Sequence, residues 1–156
     1  MIKLVRIDHR LLHGQVVFSW SKALNISRII VVNDSAATDE FKKMSLNLSK
    51  PTGMILNIFT VEEVVSKMSK IEELKDNIML VFGNTAEMLR FCQSYSKITA
   101  INYGGITKKE GSKQYSNAIF LDNQELEDSR ALKQLGIQLY MQQVPTSKKE
   151  ELNSKI

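Results

Sequence analysis

"MIKLVRIDHRLLHGQVVFSWSKALNISRIIVVND", residues 1–34, reads as strand, polar loop, helix and strand. Residues 1–7 (MIKLVRI) are apolar enough for a first strand. Beyond the loop, Val17, Trp20, Ser21 and Leu24 recur at helical spacing, so a helix over 14–25 follows directly. Residues 27–34 (SRIIVVND) hold an unbroken β-branched run, the pattern of a strand buried on both faces. A strand, a crossover helix and a second buried strand make a parallel βαβ unit.

The alternation continues outward from this unit. Residues 37–50 open with a threonine cap and acidic residues, and place Phe41, Met44 and Leu48 on one helix face. Pro51 and Gly53 mark a turn before a strand at 54–60. A helix from Val61 to Leu74, a strand at 77–83, a helix at 85–95 and a strand at 97–105 follow. Residues 106–117 are polar and loop-like, partly extended; a strand at 118–122, a helix at 123–136 and a strand at 137–144 complete the order. No internal repeat or linker interrupts the pattern. The expectation is one α/β domain over residues 1–156: an open, mostly parallel β-sheet with helices on both faces. The apolar content of the helices at 37–50 and 85–95 fits either burial on that sheet or a dimer, so the oligomeric state stays open.

Composition narrows the function classes. With 156 residues, 43% apolar and 24% charged, the chain has a globular protein's balance and room for one real core. Its apolar runs at 29–32 and 78–82 are too short to cross a bilayer, and the N-terminus does not read as a signal peptide, so a cytoplasmic location is expected. One cysteine, Cys92, excludes an internal disulfide and a multi-cysteine metal site; its helical surroundings suit a small packed residue. Twenty-one basic against 17 acidic residues give a net charge of +4, which fits an anionic ligand or partner. No basic run interleaved with aromatics points to nucleic acid.

In an open parallel sheet, ligands bind outside the carboxyl ends of the strands, here the loops at 7–14, 33–37, 83–85 and 102–107. The stretch at 6–16 (RIDHRLLHGQV) holds both histidines of the protein, two arginines and an aspartate. An imidazole with its ordinary pKa of about 6.5 is mostly neutral at pH 7 and is a nucleophile toward phosphorus. Arg10 could offer forked N–H donors to phosphate oxygens. Asp8 could hold one imidazole nitrogen and leave the other free to attack. Gly14 leaves room for a phosphoryl group beside His13, and a helix N-terminus there favours an anion. These features converge on His13. His9 is the competing imidazole, adjacent to Asp8 and able to be merely its partner. A metal site from His9, His13 and Asp8 lacks the helical His-Glu-x-x-His pattern, so no metal is expected. "GNT" at 83–85 and "NYGG" at 102–105 match neither a P-loop nor a dinucleotide fingerprint.

The stretch at 5–20 (VRIDHRLLHGQVVFSW) resembles the IIB component of the bacterial phosphoenolpyruvate-dependent sugar phosphotransferase system, mannose/fructose/sorbose family. Residues 29–53, 101–126 and 135–145 extend the likeness over nearly the whole chain. The resemblance implies a protein-phosphohistidine–sugar phosphotransferase step with no cofactor. His13 would be phosphorylated on Nδ1 by a IIA phosphohistidine and would pass the group to a sugar bound by the membrane components IIC and IID. Arg10 and Asp8 would flank the phosphohistidine, with Arg6, His9, Gly14 and Gln15 supporting the loop. Two positions depart from the family pattern. His9 stands where many relatives carry a second aspartate, and Tyr103 stands where valine is frequent, an aromatic ring expected to bear on partner fit. The alternatives from other classes are a hydrolase or metal-dependent enzyme using His9 and His13, and a non-catalytic regulatory or binding module of the same fold.

Overall fold

The computed structural model describes residues 1–156. In chain order its elements are β1 (Ile2–Asp8), α1 (Gly14–Leu24), β2 (Arg28–Val32), α2 (Asp34–Ala37), α3 (Glu40–Ser49), β3 (Ile55–Phe59), α4 (Val61–Glu72) and β4 (Ile78–Phe82). They continue with α5 (Thr85–Ser94), β5 (Ala100–Gly105), β6 (Lys113–Ser116), β7 (Ile119–Leu121), α6 (Asn123–Gln134), β8 (Gln138–Met141) and β9 (Glu150–Glu151). The expected helix at 37–50 begins only at Glu40, and a separate four-residue helix, α2, precedes it in the expected loop. Asn33 and Asp39 each accept backbone N–H groups and so start a helix apiece. Thr38, expected as the cap, ends α2 instead, its hydroxyl donating to the Asp34 carbonyl.

Seven strands form one sheet in the order β3-β2-β4-β1-β5-β8-β9, parallel except for the short edge strand β9. Strands β6 and β7 form a separate antiparallel hairpin. The order follows from right-handed crossovers that run in two directions. Those from β1 to β2 and from β2 to β3 run one way, and those from β3 to β4, β4 to β5 and β5 to β8 run back. Helices of opposite direction therefore cover opposite faces. Val17 and Trp20 of α1 and Leu46 of α3 pack with Leu4, Ile29, Val31, Met79 and Val81 on one face. On the other, Val64 and Met68 of α4, Met88 and Phe91 of α5 and Leu132 of α6 pack with Val5, Ile7, Ile30, Leu80 and Ile101. Adjacent strands β1 and β5 send their chains apart, which opens a crevice at their carboxyl ends.

Burial on the sheet accounts for α5, whose Met88, Phe91 and Cys92 are all interior. It does not account for α3. Phe41, Met44 and Leu48 do share a face, but they are 74%, 60% and 83% exposed, and Leu46 is the only buried residue of the helix. The apolar stripe points away from the sheet.

Candidate functional site

Strand alternation places Leu4, Arg6 and Asp8 of β1 toward α1, and Val5 and Ile7 toward the opposite core. Two charged residues thus point into an apolar layer, where Arg6 is 3% and Asp8 1% exposed. Such a pair persists only when its hydrogen bonds are satisfied. Arg6 Nη2 donates to Asp8 Oδ2 at 2.9 Å, while Nη1 donates to Asn102 Oδ1 at 2.6 Å and to the Gln142 carbonyl at 3.2 Å. The guanidinium also lies 5.7 Å from the Trp20 ring centroid. The Trp20 indole is fixed in turn by a bond to the Gln143 carbonyl.

The glycine pair of "NYGG" makes room for this cluster. Pairing between β1 and β5 slips after Ile7, so that Gly104 is an extra residue in the ladder. A Cβ on Gly104 would stand 2.0 Å from Arg6 Cζ, and one on Gly105 would stand 3.1 Å from Asp8 Oδ1.

From Asp8 the chain turns sharply into α1. Backbone bonds from His9 to the Gly105 carbonyl and from Leu11 to the Asp8 carbonyl pin the turn. Leu11 sits at φ 59, the left-handed region that a branched residue occupies only under constraint. The result brings His13, five residues on, back over Asp8: its Nε2 lies 2.9 Å from Asp8 Oδ2. His9, although adjacent in sequence, keeps its Nδ1 3.8 Å from Asp8 Oδ1, beyond hydrogen-bond range, and its side chain is 37% exposed. Asp8 therefore engages His13 and not His9.

Asp8 is held as a carboxylate. Burial alone raises its pKa, but the Arg6 charge, the Arg10 N–H and the His13 ring outweigh it and leave the group below the ordinary carboxylate range. An ionised Asp8 accepts the Nε2 proton, which leaves His13 Nδ1 as the unengaged nitrogen with its lone pair. His13 is also the N-cap of α1 with no side-chain cap bond, so the first-turn N–H groups from Gly14 onward stay free for an anion. Arg10 donates its backbone N–H to Asp8 Oδ1 at 3.0 Å; its guanidinium is about half exposed and approaches the same oxygen only to 3.9 Å.

The other residues singled out from the sequence distribute plainly. Gly14, at φ 40, and Gln15 are exposed at the start of α1, and neither bonds to the cluster. Arg6 supports the loop from below, through Asp8. Tyr103 is fully buried on the opposite face of β5, where its hydroxyl shares a 2.7 Å hydrogen bond with Ser129, so its ring offers nothing to a docking partner. Asn102, Gln142 and Trp20 belong to the site and were not singled out. The only local trace of them was the polar Asn102 inside an otherwise apolar strand. No group of three or more His, Cys, Asp or Glu side chains converges as a metal-ligand set.

The family model described as "PTS system sorbose subfamily IIB component" matches residues 2–156. The chain belongs to the sorbose-subfamily IIB components. This IIB chain is 33% identical over 155 residues to the sorbose-specific EIIB component of Klebsiella pneumoniae, covering 99% of the chain and 94% of that protein. It is 35% identical over 149 residues to the mannose-specific EIIAB component of Escherichia coli K12, covering 96% of this chain but 46% of that protein, so it spans about half of that relative's length. The crystal structure of the IIBSor domain of the Klebsiella pneumoniae sorbose permease superposes with a TM-score of 0.91 at 32% identity, over 99% of this chain and 95% of that one. No helix of the IIB chain is long and apolar enough to cross a membrane.

Proposed function

We propose that this IIB chain is a phosphoryl carrier in which His13 Nδ1 accepts the phosphoryl group of a IIA phosphohistidine and passes it to a sugar held by the membrane components IIC and IID. The observation that carries the reading is the 2.9 Å contact between His13 Nε2 and the buried Asp8, which occupies one ring nitrogen and leaves the other free. In the forward step the His13 Nδ1 lone pair forms a P–N bond as the donor's P–N bond breaks, and the donor imidazole leaves with the electron pair. The Nε2 proton remains on the Asp8 side, where the carboxylate stabilises the positive charge that develops on the ring. Arg10 and the α1 N-terminus supply N–H donors to the phosphoryl oxygens. The sugar is delivered by the membrane components, and the mannose- and sorbose-specific relatives support a sugar as final acceptor.

Intact-mass analysis after incubation with phosphoenolpyruvate, the general phosphotransferase proteins and a candidate IIA tests this. A single acid-labile, base-stable phosphate mapped to His13 is expected, and none in His13→Ala. Undiminished labelling of His13→Ala would overturn the assignment.

A further inference from the structure

The outward stripe of α3 has no use in the catalytic arrangement. Phe41, Met44 and Leu48 follow one another at i, i+3 and i+7, directly opposite the buried Leu46. At about 200 Å² for a fully exposed large side chain, they present roughly 400 Å² of apolar surface, the size of a monomer's largest patch, which is often functional. A stable complex buries about 800 Å² per partner, so this patch suits a partner that binds and leaves.

The stripe is continuous with the histidine loop. Phe41 and Lys42 line a groove of about 550 Å³ together with His9 and Leu11, and no carboxylate lines it. Lys42 makes no ion pair, its ammonium bonding only the Ser35 hydroxyl, and the half-exposed Arg10 guanidinium stands on the same loop as His9. An apolar strip that ends at the unpaired Lys42 beside the histidine loop, where Arg10 reaches Asp8 only at 3.9 Å, fits a partner with an apolar ridge and an anionic reacting end.

Resting on the phosphoryl-acceptor reading above, we infer that the α3 stripe is the docking strip for the phosphorylated IIA donor. Its Phe41 end aligns the donor's phosphohistidine with His13, and Lys42 and Arg10 meet the phosphoryl charge. The partner is the donor, not the membrane components, because the cationic end faces a group that arrives bearing phosphate.

The test is single-turnover labelling of wild type and Phe41→Ser/Leu48→Ser by phosphorylated IIA over a range of donor concentrations, with phosphoramidate as a small donor that needs no docking. Both side chains are exposed, so the double variant folds, and an unchanged melting profile checks this. The half-saturating IIA concentration is expected to rise on the order of tenfold or more, as for loss of two apolar anchors. The saturated rate and the phosphoramidate rate are expected to stay at wild-type values. An unchanged half-saturating concentration overturns the proposal. So does a defect confined to transfer onto sugar in IIC/IID membranes, which would assign the strip to those components. A wild-type dimer in sedimentation that the double variant abolishes would assign it to a second copy and equally overturn it. Failure of both donors to label wild type would overturn the acceptor reading itself.

Discussion

Replacing Gly104 by alanine adds one methyl group where the structure has least room for it. The new Cβ would lie 2.0, 2.2 and 2.3 Å from Cζ, Nη1 and Nη2 of Arg6, against an ordinary carbon contact of about 3.5 Å. The end of an arginine side chain usually moves aside at little cost. This one is held by Asn102, Asp8 and the Gln142 carbonyl, and lies against Trp20. A retreat of more than 1 Å stretches the 2.6 and 2.9 Å bonds beyond hydrogen-bond range and leaves Asp8 buried without its cation. Breaking a buried pair costs about 3–5 kcal/mol. In a domain of this size each kcal/mol lowers Tm by roughly 2–4 °C, so a fall of about 10 °C is expected.

The pH dependence has a definite sign. In the native chain Asp8 titrates below its ordinary range, so its contribution is present above the unfolded carboxylate pKa of about 3.9 and is lost as pH falls through the lower folded value. With Arg6 displaced, Asp8 loses the largest influence that lowers its pKa, and its folded pKa rises. The stability gap between wild type and Gly104→Ala should therefore be widest at neutral pH and narrow below about pH 4. Urea titrations from pH 3.5 to 7, paired with the rate of His13 labelling, measure both effects. A loss under about 1 kcal/mol at pH 7, with normal labelling, would mean that Arg6 is not held as described.

Arg10→Ala should slow single-turnover labelling of His13 on the order of 100-fold while leaving the melting temperature within about 2 °C, because its guanidinium makes no bond that the fold needs; a normal transfer rate would remove it from the phosphate site. His9→Ala should still take up one phosphate, since its ring stands outside hydrogen-bond range of Asp8, and loss of labelling in quantitative mass spectrometry would reverse the choice of imidazole. Cys92, whose thiol burial pushes up to about 12, should stay unmodified by a thiol reagent at pH 8 in the folded protein and react once urea unfolds it; rapid native modification would contradict its place on the buried face of α5.

Much of the architecture was legible in the chain because periodicity is a local property. Buried parallel strands are unbroken apolar runs, as at Ile29–Val32, and helices between them repeat at 3.6 residues, so the order of elements could be read without contacts. The start of α3 is ambiguous in the sequence because Thr38 and Asp39 are both good caps. The choice between them depended on which side chain reaches the N–H groups of Phe41 and Lys42, and that was Asp39.

By itself the sequence determined the strand–helix alternation and the parallel sheet, and its motif pointed to the loop at 7–14 and to His13. Only the tertiary structure decided that Asp8 engages His13, five residues away, over its neighbour His9, since the left-handed turn at Leu11 and not chain distance sets that geometry. It alone joined Asn102 and Gln142 to Arg6 across separations of 96 and 136 residues, through strands laid side by side by the crossovers. It also turned the apolar face of α3 outward. Helical spacing fixes which residues share a face, but the direction of that face is set by what packs beneath the helix, and beneath α3 the residue buried is Leu46.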